Sequence, residues 1–259
     1  MTTLWNSFKI AFSMYSKIPV PQSDWTKENM KYAMVFFPLI GIVIGLVCSG
    51  WFWFSGFLTE HNVELSHEFT AIVFVLLPVV ITGGIHLDGL LDTADARSSW
   101  LERERRLEIL KDSHAGAFAI IACAAYFLFY YGVCSMVNAE SVKLIGLGFA
   151  LSRTLSALAI VTFPMAKGSG LAASFSGSAD KKQVRNVMIF YLLILTGLYL
   201  WSGGICGILC MAAAGFMFWY YYHMSKKVFG GITGDLAGYF LQMCELVIAL
   251  TGVLSVKIL

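Results

Sequence analysis

The stretch FTAIVFVLLPVVITGGIHLDGLLDTADA, Phe69 to Ala96, changes character in its middle. Its first half is apolar enough to cross a bilayer, and its second half sets Asp88, Asp92 and Asp95 within eight positions. Three carboxylates at the end of an apolar run place charge where a membrane span gives way to water. Whether the rest of the chain is a set of such spans therefore decides the fold.

Composition answers that it is. The chain has 259 residues, 58% of them hydrophobic and 13% charged, with a mean hydropathy of +0.73. Soluble domains carry about 25% charged residues. A span needs about 20 predominantly apolar residues, and seven stretches qualify: 33–58, 69–86, 116–137, 142–164, 186–201, 203–222 and 236–258. Only Ser202-Gly203-Gly204 separates the fifth from the sixth, which predicts a tight helical hairpin. The expected fold is an all-α polytopic membrane bundle, one domain over residues 1–259, with about seven transmembrane helices and an N-terminal interfacial helix.

Basic residues test the layout independently. Segments 1–32, 87–115, 165–185 and 223–235 hold 4, 5, 4 and 2 Lys/Arg, whereas 59–68, 138–141 and 202 hold none. The alternation follows the positive-inside rule. It predicts a cytoplasmic N-terminus, an external C-terminus and a cytoplasmic side for every longer basic loop. Ahead of the first span, Leu4, Trp5, Phe8, Ala11, Phe12 and Tyr15 recur at helical spacing until Pro19 and Pro21. Such a helix either lies in the interface or packs under the bundle. Lys9 and Lys17 interrupt any signal-peptide core. The six cysteines all fall in apolar stretches and read as small buried hydrophobes, with no zinc-like spacing. The net charge of +2 says little about partners, because its distribution matters more than its sum; no nucleic-acid partner is expected.

On a helix, Asp88, Asp92 and Asp95 fall within about 60° of arc. Like charges four apart destabilise a helix, unless a cation sits between them. An all-oxygen set suits magnesium, manganese or calcium, and magnesium is commonly completed by substrate phosphates. The alternatives are a solvated acidic helix end, or pairing with Arg97 and the basic run after it. In that run Arg103, Arg105 and Arg106 alternate with Glu102, Glu104 and Glu108 as a self-paired, solvated face. Lys111, Asp112 and Ser113 stand at the mouth of the third span, where Asp112 either caps that span or adds a fourth ligand.

A third cluster is GGITGDLAGYFLQMCELV, Gly230 to Val247. Gly230, Gly231 and Gly234 allow backbone amides to approach a phosphate, and Asp235 opens the last helix. Glu245 lies about 15 Å deeper by helical rise. Arg153, inside the fourth span, either pairs with Glu245 or holds a phosphate at the end of a cavity. The loop 168–185 covers a polyanionic substrate or merely joins spans. His86 faces away from the aspartates and reads as structural; His114 adjoins Asp112, and its role stays open.

Together the carboxylates, glycine loops and cations suit metal-assisted transfer at a phosphate. No P-loop is present to drive an ATP motor. The Asp88/Asp92/Asp95 spacing resembles in style the paired aspartates of the CDP-alcohol phosphotransferases, without their full pattern. A transporter lined by Arg153 and Glu245 is the other reading.

A closer resemblance rests on KIPVP (17–21), FFPLIG (36–41), GGIHLDGLLDTADA (83–96), RRLEILKDSHAGAF (105–118), LSR (151–153) and GGITGD…CELV (230–247), in that order. These resemble cobalamin synthase, the adenosylcobinamide-GDP ribazoletransferase family. The resemblance implies a membrane enzyme that uses Mg2+ to join adenosylcobinamide-GDP to α-ribazole or its 5′-phosphate, releasing GMP. It also implies a place beside other late enzymes of cobalamin synthesis. By the same resemblance Asp88, Asp92 and Asp95 are metal ligands, and Asp92, Asp112 and Asp235 are catalytic, with Asp112 or Asp235 taking the hydroxyl proton. Lys111, Arg153, Gly231, Gly234 and Glu245 are substrate-binding candidates. The chain departs from the family pattern at His114, Leu236, Gln242 and Ala96.

Overall fold

The computed structural model describes residues 2–112 and 114–259. Met1 and Ser113, the latter singled out beside Lys111 and Asp112, lie outside the described residues. The chain folds into helices α1 (Thr2–Tyr15), α2 (Lys27–Met30), α3 (Ala33–Glu60), α4 (His67–Thr82), α5 (Ile85–Ser98), α6 (Arg103–Ile109), α7 (Ala117–Cys134), α8 (Ser141–Thr162), α9 (Leu171–Ser178), α10 (Lys181–Met224) and α11 (Gly234–Ile258), with a π turn at Ser225–Phe229 before α11. Among the described residues the only β contact is a parallel bridge between Met165 and Ile232. The all-α membrane bundle is the observed fold.

Five helices are long and apolar enough to cross a membrane, or six if α4 and α5 count as one bent span. The expected count of seven is not reached by that measure. The difference falls at α10, which holds segments 186–201 and 203–222 as two helical arms joined at a break at Gly204 (φ 50°, ψ −118°), the tight hairpin expected at Ser202-Gly203-Gly204. That backbone turns the chain on itself, because a side chain at Gly207 would collide with the Tyr199 carbonyl eight residues earlier.

The core centres on α8, with 83% of its apolar window buried against 28% in α7. Helices α3, α10 and α11 pack around it. On the outer helices the large side chains Leu46, Phe57, Val80, Leu128 and Leu193 stay exposed, as lipid-facing residues do when the solvent is itself apolar. Helix α1 buries Ser7, Ile10, Ala11 and Phe12 against α3 while Leu4 and Trp5 remain exposed. The helix packs on the bundle and keeps an exposed apolar edge at Leu4 and Trp5.

The sharpest break follows Thr82. Gly83 (φ 67°) and Gly84 (φ 78°) are both left-handed, a conformation open to glycine at little cost. They turn α5 by 96° from α4. The turn is pinned from below by Lys17, whose amide donates to the Ile81 carbonyl at 2.7 Å and whose side chain lies on Gly83. The acidic half of the opening stretch is thus a separate helix, directed across the end of the bundle rather than along α4.

Candidate functional site

Helix α5 lies against the start of α11. The approach is close because glycines face each other: a Cβ on Gly238 would stand 3.2 Å from Gly89 Cα, and one on Gly89 would stand 3.0 Å from Asp235 Cα. The crossing carries Asp88 and Asp92 to the first turn of α11, where Asp235 stands. Asp88 is exposed, and Asp92 and Asp235 are half-buried. Burial, followed by the charges of Asp88, Asp235, Asp95 and Asp112, pushes the Asp92 carboxyl up to about 7. All four of these neighbours therefore act on Asp92. Among the described residues, however, no three carboxylate, histidine or cysteine side chains enclose a metal position.

Asp95 does something the spacing did not foretell. Its Oδ2 accepts from the Gly116 amide at 2.6 Å and its Oδ1 from the Ala119 amide at 2.9 Å. A carboxylate on the first turn satisfies helix donors that have no intrahelical partner. Asp95 is thus the capping group of α7, a role the sequence had offered to Asp112. Asp112 instead accepts from the His114 amide at 3.0 Å and from its Nδ1 at 2.8 Å. Those hydrogen bonds hold the exposed Asp112 carboxyl below its ordinary value. Arg97 does not pair with the aspartates. Its Nη1 donates to Tyr239 Oη at 3.1 Å, and its guanidinium lies over the Tyr220 and Tyr239 rings.

Beside Asp235 opens a cavity of about 350 Å³ whose lining includes Lys111, Lys167, Gly170, Thr233 and Gly234. Lys167 Nζ donates to the Leu107 carbonyl at 2.5 Å. Burial, and then the neighbouring Lys111 charge, lower its pKa, as two ammonium groups sharing a site do when no anion separates them. Gly234 is exposed at the rim. Gly231, expected to offer its amide to a phosphate, donates it to Ser225 O at 3.1 Å. A side chain there would stand 2.5 Å from Ala166 N and Pro164 O. Its role is to let the 230–234 loop lie against 164–166. Arg103, assigned to a solvated face, packs its guanidinium on Gly230. Arg105 does pair with Glu108, at 2.7 Å on the surface.

Arg153 and Glu245 are found together, both buried, with Nη1 to Oε1 at 2.6 Å. Ser152 Oγ adds a bond to Glu245 at 2.9 Å, and Arg153 donates to the Phe149 carbonyl at 3.0 Å. Neither lines the lysine cavity. Of the two roles open to Arg153, pairing is the one observed, and the pair ties α8 to α11. His86 is buried beside Tyr15 and Phe37, in keeping with its structural reading.

Comparison with known proteins bears directly on this arrangement. The family model described as cobalamin-5-phosphate synthase matches residues 7–253. The chain belongs to that family. An adenosylcobinamide-GDP ribazoletransferase of Lachnoclostridium phytofermentans is 46% identical over 250 residues, covering 96% of this chain and 94% of the relative. A Geobacillus protein of the same name is 32% identical over 251 residues, covering 95% and 94%. One from Clostridium perfringens is 29% identical over 262 residues, covering all of both. No solved structure matches.

Within this site, one residue and one role escaped the sequence reading. Lys167 follows the fourth span as a lone cation, with nothing in its neighbours to set it apart. The capping role of Asp95 joins positions 21 to 24 apart, a relation no local spacing displays.

Proposed function

We propose that this chain is a transferase that joins adenosylcobinamide-GDP to α-ribazole or its 5′-phosphate and releases GMP. The observation that carries the reading is the meeting of Asp88 and Asp92 on α5 with Asp235 on α11, beside a cavity that includes Lys111 and Lys167. The relatives' name states the reaction, and this geometry has the groups the reaction needs. One side supplies hard oxygen donors and the other supplies cations for phosphate.

The donor set fits magnesium. Asp88 and Asp92 offer carboxylates with no cation paired to either among the described residues, and the raised pKa of Asp92 marks a place where added positive charge is favoured. Asp95, already committed to α7, serves as support rather than ligand. When bound, magnesium neutralises phosphate oxygens and steadies the leaving group. Lys111 and Lys167 clamp the remaining diphosphate charge, and Gly234 leaves the rim open to it. Asp235, between the α5 aspartates and the lysine cavity, accepts the proton of the attacking ribose hydroxyl. Asp112 is the weaker candidate, because His114 already stabilises its charged form. The basic loops support a reading in which this site faces the cytoplasm from a bacterial inner membrane.

The deciding experiment supplies purified protein with adenosylcobinamide-GDP and α-ribazole, with and without magnesium, and follows GMP. GMP release that depends on both substrates and on magnesium supports the reading. CMP release from CDP-diacylglycerol under the same conditions would assign the site to a phospholipid enzyme instead.

A further inference from the structure

A second and larger cavity, of about 840 Å³, lies between α5, α7 and α11. Its residues on α5 are Leu90, Ala94, Arg97 and Ser98. At about 100° per residue these point roughly 140° away from Asp88, Asp92 and Asp95. The cavity is therefore on the reverse side of the helix that carries the aspartates, and it shares no lining residue with the lysine cavity.

Its two ends differ in chemistry. At one end are the guanidinium groups of Arg97 and Arg106. Arg97 is held in place by Tyr239 Oη and by the rings of Tyr220 and Tyr239. Arg106 Nε is buried with no hydrogen-bond partner among the described residues, a state that costs free energy unless an acceptor arrives. From there the wall is apolar: Ala125 and Phe129 on α7, Met243 and Leu246 on α11. From Ala122 to Phe129 and from Tyr239 to Leu246 the helices rise roughly 10 Å. The cavity sits at the outward side of the bundle, where Phe129 is 52% and Trp100 87% exposed. Exposed tryptophan at the end of apolar helices marks the interface between lipid and water.

We propose that this cavity is a binding site for one anionic phospholipid, its headgroup phosphate between Arg97 and Arg106 and its acyl chain along Ala125, Phe129, Met243 and Leu246. Guanidinium matches phosphate with paired donors, and the apolar wall matches a hydrocarbon chain and no soluble anion. The volume is that of a small-molecule site. A lipid seated there backs α5 from behind and holds it against α11, so that the positions of Asp88 and Asp92 depend on the surrounding lipid.

The test uses the full chain, delipidated in detergent, with its melting temperature followed against added dioleoylphosphatidylglycerol, dioleoylphosphatidylcholine or inorganic phosphate. Phosphatidylglycerol is expected to raise the melting temperature at lower mole fraction than phosphatidylcholine, and inorganic phosphate is expected to have no effect. Arg106→Gln should weaken the response to phosphatidylglycerol by about tenfold, the order for losing one charge-assisted hydrogen bond. Ala125→Trp, which fills the apolar end from the exposed side of α7, should remove the response to both lipids. If Arg106→Gln does not fold, Arg106→Lys gives the same comparison with charge kept and the fork lost. Equal response to the two lipids with Arg106→Gln unaltered would overturn the proposal. So would stabilisation by phosphate alone, or displacement of bound phosphatidylglycerol by adenosylcobinamide-GDP.

Discussion

Gly89 of α5 and Gly238 of α11 face each other, with 3.2 Å between Gly89 Cα and the point a Gly238 Cβ would occupy. This contact, more than any polar one, sets how near the α5 aspartates come to Asp235. A side chain at Gly89 would meet the Asp235 carbonyl oxygen at 2.5 Å and its Cα at 3.0 Å, both backbone atoms that do not move aside easily. Gly89→Val should cost about 1–3 kcal/mol of stability by overpacking. It should also abolish GMP release even where the protein still folds, since α5 must shift. Thermal melting alongside the transfer assay checks both parts; full activity in a folded Gly89→Val protein would refute the positioning role.

Asp95 and Asp92 should separate cleanly. Asp95→Ala removes the acceptor of the Gly116 and Ala119 amides and should cost about 0.5–2 kcal/mol, with activity reduced but its magnesium dependence unaltered. Asp92→Asn should do the reverse, leaving stability intact or improved in the absence of divalent ions while ending turnover. A magnesium titration of each variant distinguishes them. A large rise in the magnesium requirement of Asp95→Ala would return Asp95 to the ligand set.

Proton linkage gives a third expectation. The Asp92 carboxyl rises from 3.8 to about 7 on folding. A raised folded-state pKa means the folded protein binds the proton more tightly. The resulting stability is fully present below the unfolded value and is lost as pH rises through the folded one. Without divalent cations the melting temperature should therefore fall between pH 3.8 and about 7. Asp92→Asn should flatten that slope, and saturating magnesium should reverse the loss near neutrality. At limiting magnesium, activity should rise as pH passes about 7, where Asp92 gives up its proton. Melting curves across pH, with and without magnesium, test the sign.

The Arg153–Glu245 pair should behave as a support for the bundle. Glu245→Gln leaves a buried guanidinium uncompensated and should cost about 3–5 kcal/mol. Replacing both, as Arg153→Met with Glu245→Leu, should recover most of that stability and retain GMP release. A double variant that folds but has lost substrate affinity would restore the substrate-binding role.

The apolar runs and the alternation of basic loops were enough to read an all-α membrane bundle, because each span must satisfy its backbone within itself. The same locality made α5 legible as a helix with Asp88 and Asp92 on one face. The break at Gly83-Gly84 was visible only as two glycines; that both would turn left-handed and swing α5 by 96° depended on what α5 packs against. The reversal at Gly204, by contrast, was legible as Ser202-Gly203-Gly204 between two apolar runs, and the chain does turn back on itself there.

What tertiary structure alone decided were relations between residues far apart in the chain. Asp95 joins α7, Arg97 joins Tyr239, Gly231 packs against 164–166, and Lys167 meets Lys111 and Asp235. Spacing along one helix tells which carboxylates share a face. It cannot tell which of them will find buried amides across a gap, because that depends on where another helix begins in space. The residue types marked the chemistry, and the crossing of α5 over α11 chose which aspartates remain free for it.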